Sequence, residues 1–122
     1  MRSDTNLCAV ATLVIHDGQE QAFQAIAKEL SEATAKESGE LTYQWYLTED
    51  GKTCYVLERY ADSDAVRKHL KTFGALGPRL LAVADLTNLE IYGNPDDQVR
   101  QAVSEATNNV ARFHRPYAGF VR

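Results

Sequence analysis

The length, composition and charge of the chain describe one globular domain. Its 122 residues are typical of a single domain, and 44% hydrophobic with 25% charged residues is a globular composition. The formal net charge of -4 argues against nucleic acid or an anionic membrane as partners, because both are bound through clustered Lys and Arg. No apolar run approaches the roughly 20 residues of a membrane helix, and no secretory leader is recognisable, so we expect a cytoplasmic protein.

The two cysteines do not indicate a disulfide framework or a metal site. Two cysteines, Cys8 and Cys54, are too few for a disulfide framework, and they are too far apart in the sequence for a metal site. We expect both thiols to be reduced, and too far apart to bond, because each lies near the start of its strand and the two strands should run antiparallel. The sequence also has neither a glycine-rich phosphate loop nor a His, Cys and carboxylate cluster with metal-ligand spacing.

The chain begins with a predicted strand and helix. Residues 6–16 are apolar and β-branched, as in a strand covered on both faces. Asp17 and Glu20 have the spacing of a capping box, and apolar residues then recur at helical spacing from Phe23. We expect this helix to end near Gly39, since glycine commonly follows a helix end.

A β-hairpin is predicted next. Residues 40–48 and 53–60 alternate in polarity, and the Asp50-Gly51 pair between them is typical of a tight turn. Alternation places four side chains of the first strand on one face: Leu41, Tyr43, Trp45 and Leu47. It also divides the second strand into two faces: Tyr55, Leu57 and Arg59 on one, and Cys54, Val56, Glu58 and Tyr60 on the other.

A second helix should follow, capped by Asp62 or Ser63. We expect it to break at Gly74 and at the Gly77-Pro78 pair, with a short helical turn over residues 78–83.

The last third predicts a strand, a helix and an extended end. Residues 85–92 form the strand, and Asn94 caps a third helix with Pro95 in its first position. The helix should end near residue 106. Residues 110–121 carry enough apolar side chains to be extended and docked on the domain.

The predicted order, β-α-β-β-α-β, is that of a ferredoxin-like α+β domain with a four-stranded antiparallel sheet. We expect one domain over residues 1–122, with its core at about 6–93 and a C-terminal helix and extension at about 94–122. Both helices should cover one face of the sheet. The bare face is apolar enough to need a cover, which predicts a C₂ homodimer, and the C-terminal segment is placed to reach across to the partner.

Residues 37–70 carry a family resemblance. A Tyr-rich strand carries Tyr43, Trp45 and Tyr46, and the next strand ends in Glu-x-Tyr with Glu58 and Tyr60. The following helix starts Asp-Ser-x-Ala with Asp62, Ser63 and Ala65, and it carries a histidine, His69. This pattern resembles the antibiotic biosynthesis monooxygenase (ABM) family. The resemblance implies a dimeric α+β barrel. It also implies oxidation of a small phenol or quinol by dioxygen as co-substrate, without metal or flavin, because the electron-rich substrate itself reduces dioxygen.

Six residues are candidates for the site. His69 is the candidate catalytic residue, since an imidazole can bind a phenol or accept its proton near neutral pH; it lies at the border of the apolar helix face. The candidate substrate-binding residues are Tyr43, Trp45, Tyr55, Glu58 and Phe73. The three aromatic residues on strands are expected to line a cavity between sheet and helices, or alternatively to form core or dimer interface. Glu58 is expected mainly at the surface or the dimer interface.

Three alternatives remain open. One is a non-catalytic small-molecule-binding or stress-related dimer, whose pocket would lack a polar anchor near His69. Another is an isomerase or lyase, which needs a convergent acid and base such as His69 with Glu58, a pair not expected to meet. The third is haem degradation, which haem-degrading relatives carry out with an Asn on the first strand and a Trp and a His on the second helix. Asn6 and His69 match this pattern, but the second helix has no Trp, since Trp45 is predicted on a strand.

Overall fold

A computed structural model describes residues 5–122, so the first four residues of the predicted domain lie outside the described part. Eight elements follow one another along the chain. They are β1 (Leu7–Ile15), α1 (Glu20–Thr34), β2 (Glu40–Leu47), β3 (Thr53–Tyr60), α2 (Ser63–Leu81), β4 (Ala84–Tyr92), α3 (Asp97–Ala106) and β5 (Ala111–His114). The first six elements confirm the predicted ferredoxin-like order. None of these helices is long and apolar enough to cross a membrane.

The sheet has five strands in the order β2-β3-β1-β4-β5, where four were predicted. Neighbouring strands are antiparallel except for β5, which pairs in parallel with β4 because α3 returns the chain to the starting end of β4. The docked C-terminal segment is therefore shorter than predicted. Tyr117 is 94% and Phe120 72% exposed, and both project from this chain into solvent.

The ends of α1 differ from the prediction. Asp17 does not cap the helix, because the chain turns at Gly18 with φ +79° and the helix begins after Gln19. The helix ends at Thr34, five residues before Gly39. Gly39 instead allows a close approach between β2 and α2, since a Cβ there would lie 2.6 Å from the Cβ of Ala65.

The second helix is continuous, so the predicted break at Gly74 and Gly77-Pro78 is wrong. Asp62 caps it as predicted, accepting a hydrogen bond from the Ala65 N–H at 2.9 Å. Packing overrides the weak helix propensity near its end: Leu80 is 1% exposed, and Phe73 lies against the bare backbone of Gly77.

The third helix begins two residues later than predicted. Its N-cap is Asp96, which accepts a hydrogen bond from the Val99 N–H at 2.8 Å, and Asn94 lies outside it. The strand β4 and the end of α3 lie within one residue of their predicted positions.

The two faces of the sheet are unlike. The inner face is covered by the helices and contributes buried residues such as Leu7, Ala9, Leu13 and Val56 to the core. The outer face is bare in this chain. It exposes five large apolar side chains: Val14, Tyr46, Tyr55, Leu57 and Tyr92. Cys8 and Cys54 are both free, since Cys8 pairs in register with Arg59, which lies five positions after Cys54 on β3.

The space around Gly39 and Gly74 predicts whether a Gly→Ala substitution at each position lowers or raises the free energy of unfolding. Gly39→Ala should lower the free energy of unfolding by about 1–3 kcal/mol, because the new methyl group overlaps Ala65. Gly74→Ala is the matched control within α2: nothing lies within 4 Å of its added Cβ, and it should raise the free energy of unfolding by about 0.5–1 kcal/mol. Urea unfolding measures both; equal effects would contradict the close approach.

Candidate functional site

A cavity of about 120 Å³ lies between the inner face of the sheet and the helices. Most of its wall is apolar. The polar groups are concentrated where β2, β3 and α2 meet: Tyr43, Glu58, Tyr60 and His69. An apolar cavity with a few convergent polar groups is the usual form of a small-molecule site.

Two simple periodicities bring Glu58 and His69 together. On β3, alternation directs Val56, Glu58 and Tyr60 to the inner face. On α2, helical spacing directs Val66, His69 and Phe73 towards the same space. The His69 Nε2 lies 3.4 Å from Glu58 Oε1. The expectation that these two groups would not converge is therefore wrong.

A β-bulge adds Glu40 to the cluster. The register between β2 and β3 shifts between Glu40 and Thr42, so Glu40 pairs with Tyr60 and Tyr43 pairs with Glu58. Both Glu40 and Tyr43 then face inward, although they are three residues apart. Strict alternation would place Glu40 on the face opposite to Tyr43, and nothing in the residue types at 40–42 marks the bulge.

The polar cluster is a buried network around one imidazole. His69 Nδ1 lies 3.4 Å from the Glu37 carboxylate and 4.0 Å from Glu40 Oε1. The Tyr60 hydroxyl donates to Glu58 Oε1 at 2.6 Å. The side chain of Glu40 is only 2% exposed, and those of His69, Glu58 and Glu37 are 8–11% exposed. Three carboxyl groups thus share one potential cation.

The network favours a proton on Glu40. Burial, together with the nearby carboxylates of Glu58 and Glu37, raises the pKa of Glu40 to about 9. Burial also raises the pKa of Glu58, but the charge of His69 and the hydrogen bond from Tyr60 oppose that rise. Of the two carboxyls, Glu40 is therefore the one that holds a proton at neutral pH. Neither Glu40 oxygen has a hydrogen-bond partner among residues 5–122, so this proton is explained by burial and by the nearby carboxylates rather than by a hydrogen bond.

The neighbouring phenols stay neutral. Burial and the carboxylates raise the pKa of Tyr43 and of Tyr60 well above the ordinary value of 10.0. Both are therefore hydrogen-bond donors at neutral pH. The cavity thus faces the Glu58 carboxyl and the His69 imidazole, 3.4 Å apart, with the protonated carboxyl of Glu40 behind them.

The same side chains are also the candidate metal ligands. Glu40, Glu58 and His69 offer ligand atoms that all lie within 4.8 Å of one another. A metal ion bound by these three side chains would have to displace the proton on Glu40. The prediction that the site works without a metal remains a prediction.

The structure brings together five of the six predicted site residues. His69, Tyr43, Trp45, Glu58 and Phe73 line the cavity. His69 is 6% exposed, buried rather than at a border, and Glu58 faces the cavity rather than the surface or an interface. The roles of these residues in substrate binding and catalysis remain predictions.

The prediction that Tyr55 lines the cavity is wrong. Tyr55 is 40% exposed on the outer face, because alternation on β3 separates it from Glu58, so it does not line the cavity. Sequence reasoning also missed Glu37, which follows α1 in a turn, and gave Tyr60 no role. Asn6 accepts a hydrogen bond from Arg59 Nε at 2.8 Å, and Trp45 lies on β2, so the haem-degrading arrangement is absent from the described residues.

Comparison with known proteins identifies the family. Residues 6–76, more than half of the chain, match the family "Antibiotic biosynthesis monooxygenase". The chain belongs to this family, which confirms the resemblance found in the sequence. No curated protein sequence matches the chain.

Solved structures share the fold. MupZ from Pseudomonas fluorescens has a TM-score of 0.80 at 20% identity, over 98% of this chain and 96% of that chain. A conserved protein from Methanosarcina mazei has a TM-score of 0.66 at 25% identity, over 72% and 91% of the two chains. SnoaB from Streptomyces nogalater, a cofactor-independent oxygenase, has a TM-score of 0.65 at 16% identity, over 75% and 95%. The MupZ match spans the region of α3 and β5 as well as the core.

The raised pKa of Glu40 predicts how stability depends on pH. Between pH 4.5, the ordinary pKa, and about 9, the folded chain holds a proton at Glu40 that the unfolded chain lacks. Glu40 therefore lowers the free energy of unfolding as the pH rises through this window, by at most about 1.4 kcal/mol per pH unit. Glu40→Gln keeps the hydrogen-bond donor and removes the titration.

Urea unfolding across this pH window measures the effect. The Glu40→Gln variant should lose less stability than wild type as the pH rises. Glu32→Gln, at an exposed position of α1, is the matched control and should follow wild type. An identical pH slope in wild type and Glu40→Gln would show that Glu40 is not protonated in the folded chain.

Proposed function

We propose that this protein is a cofactor-independent monooxygenase that acts on a phenol or quinol. The observation that carries the proposal is the Glu58–His69 pair, 3.4 Å apart, on the wall of an otherwise apolar cavity. Family membership over residues 6–76 supports the reaction type. SnoaB, which shares the fold, is itself a cofactor-independent oxygenase.

The cavity residues supply binding, orientation and one proton transfer. A phenol hydroxyl placed against Glu58 and His69 loses its proton to this pair, and the phenolate transfers one electron to dioxygen. The resulting phenoxyl radical and superoxide join through a new C–O bond at a ring carbon that bears hydrogen. With a proton returned, the hydroperoxide loses water and leaves a carbonyl. The balance is phenol plus O₂ to quinone plus H₂O, and the substrate supplies every electron.

The rest of the cavity serves this chemistry by excluding water. Trp45 and Phe73 give flat apolar walls suited to an aromatic ring. Tyr60, which donates to Glu58 at 2.6 Å, holds that carboxylate in place. Glu40 is a positioning residue behind Glu58, and its proton is available to the hydroperoxide through Glu58.

A second candidate is an acid–base isomerase or lyase that does not use dioxygen. The convergence of Glu58 and His69 with a protonated Glu40 favours it, because such reactions need one group to remove a proton and another to deliver one. The same polar anchor next to His69 weighs against the non-catalytic binding module, whose pocket would lack it.

Loss of the Glu58 carboxylate should abolish most of the activity. With naphthols and naphthohydroquinones as substrates, wild type should consume dioxygen in proportion to protein, and Glu58→Gln should be slower by about 10²–10⁴-fold, because it keeps the shape but cannot accept a proton. His69→Ala should lose activity without unfolding. Oxygen-electrode traces, with quinone followed by absorbance, measure the rates.

Controls separate the two candidates. Glu32→Gln, far from the cavity, should retain the wild-type rate. Protein-dependent quinone formation that stops under nitrogen supports the oxygenase. Deuterium incorporation from D₂O into an α-aryl ketone under nitrogen, lost in Glu58→Gln, would instead favour the isomerase. No oxygen uptake with any phenol would overturn the oxygenase proposal.

We also propose that two copies pair through the outer face of the sheet. The exposed side chains of Tyr46, Tyr55, Leu57 and Tyr92 form an apolar surface that a second copy would cover. The exposed Tyr117 and Phe120 of the C-terminal segment would contact the partner copy. The cytoplasmic location expected from the sequence remains a prediction.

Light scattering tests the homodimer. Wild type at micromolar concentration should have twice the chain mass of 13.6 kDa, and Leu57→Lys should have the single-chain mass because it buries a charge in the interface. Far-ultraviolet circular dichroism should show the same fold in both. A well-folded wild-type particle of 13.6 kDa would refute the pairing.

A further inference from the structure

The cavity continues well past the polar cluster. Its far wall is formed by β4, α3 and β5, through Leu89, Ile91, Val99, Val103 and Phe113. These residues lie beyond residues 6–76, the part of the chain that matches the family. The far half of the cavity is therefore a feature of the C-terminal third of this chain.

The strand order gives the direction and span of the cavity. Glu58 lies on β3 and Phe113 on β5, which are separated by β1 and β4. Three strand spacings of about 4.8 Å make the distance across the sheet roughly 14 Å. The cavity is therefore a slot across the strands rather than a compact chamber under one helix.

The two ends of the slot differ in polarity. The β2–β3 end holds Glu58, His69 and Tyr60. The far end carries no charged side chain among its lining residues, and Val99 and Val103 there are 1% and 6% exposed. A ligand that fills this slot must be polar at one end and apolar along the rest, since an unpaired polar group at the far end would lose its hydration without compensation.

We propose that the slot binds an elongated amphiphile, with a phenol or enol head at Glu58 and His69 and a linear apolar arm reaching α3 and β5. The position of the head rests on the proposed function. The position of the arm is inferred only from the apolar residues that line the far end. A compact two-ring substrate would leave the far end without contacts and so forgo its dispersion and burial energy.

Binding of para-alkylphenols, measured without turnover, tests the arm. Trp45 lines the slot and is the only tryptophan, so its fluorescence reports occupancy. Under nitrogen, each added methylene from para-methylphenol upward should tighten binding roughly fourfold until the slot is full. Linear para-octylphenol should bind at least tenfold tighter than its branched isomer, para-tert-octylphenol, which has the same composition. Affinity that ignores chain length, or equal binding of the two isomers, overturns the proposal.

A blocked slot provides the matched variant. Val103→Phe should end the gain in affinity at a shorter chain and leave para-methylphenol binding unchanged. Val121→Phe, outside the slot, should behave as wild type. If Val103→Phe does not fold, Leu86→Phe at a half-buried lining position serves the same purpose. A variant that folds and still binds the long chains as wild type does would refute the assigned path of the arm.

The two proposals fail in different ways. Chain-length-dependent binding without oxygen uptake would refute the oxygenase and keep the slot. Oxygen uptake with naphthols, together with affinity that does not depend on chain length, would keep the oxygenase and refute the slot.

Discussion

The site depends on the burial of three carboxyl groups around one imidazole. In water each of Glu37, Glu40 and Glu58 would be charged at neutral pH, but beside one another and away from solvent they cannot all be. The fold resolves this conflict by leaving a proton on Glu40, while Glu58 lies beside His69 and accepts a hydrogen bond from the Tyr60 hydroxyl. An acid and a base therefore coexist next to an apolar cavity.

Maintaining this arrangement constrains the surrounding backbone. Gly39 lets the start of β2 approach α2 closely enough for Glu40 to lie beside His69. The uninterrupted α2 carries both His69 and Leu80, so the helix that presents the imidazole also closes the core beneath it. The C-terminal helix and strand then extend the cavity into a region whose lining side chains carry no charge.

Periodicity predicted most of the fold and part of the site. Alternation on β3 placed Glu58 on one face with Val56 and Tyr60, and helical spacing on α2 placed Phe73 on the apolar face, because those patterns depend on local backbone geometry alone. Alternation did not tell which face of β3 is the inner one, so Glu58 was wrongly expected at the surface or the dimer interface. The convergence of His69 and Glu58 depends on tertiary packing, which spacing does not contain. Two errors have local causes: packing held α2 together through Gly77-Pro78, and β5 added a parallel fifth strand after α3. The bulge that turns Glu40 inward has no signal in the residue types, so the sequence did not indicate Glu40 as a site residue. Tyr55 was misplaced by grouping aromatic residues without regard to strand face.

The bulge in β2 places the acid of this site on the edge strand of the sheet, where insertions and deletions disturb little else. If residues 40–42 instead paired one-to-one with β3, regular alternation would turn the carboxyl of Glu40 towards solvent without any change in chain length. The remaining pair would still accept a proton but would have no neighbour to hand one back. In relatives of this chain, the presence or absence of this bulge would thus separate sites built for proton removal from sites built for proton relay.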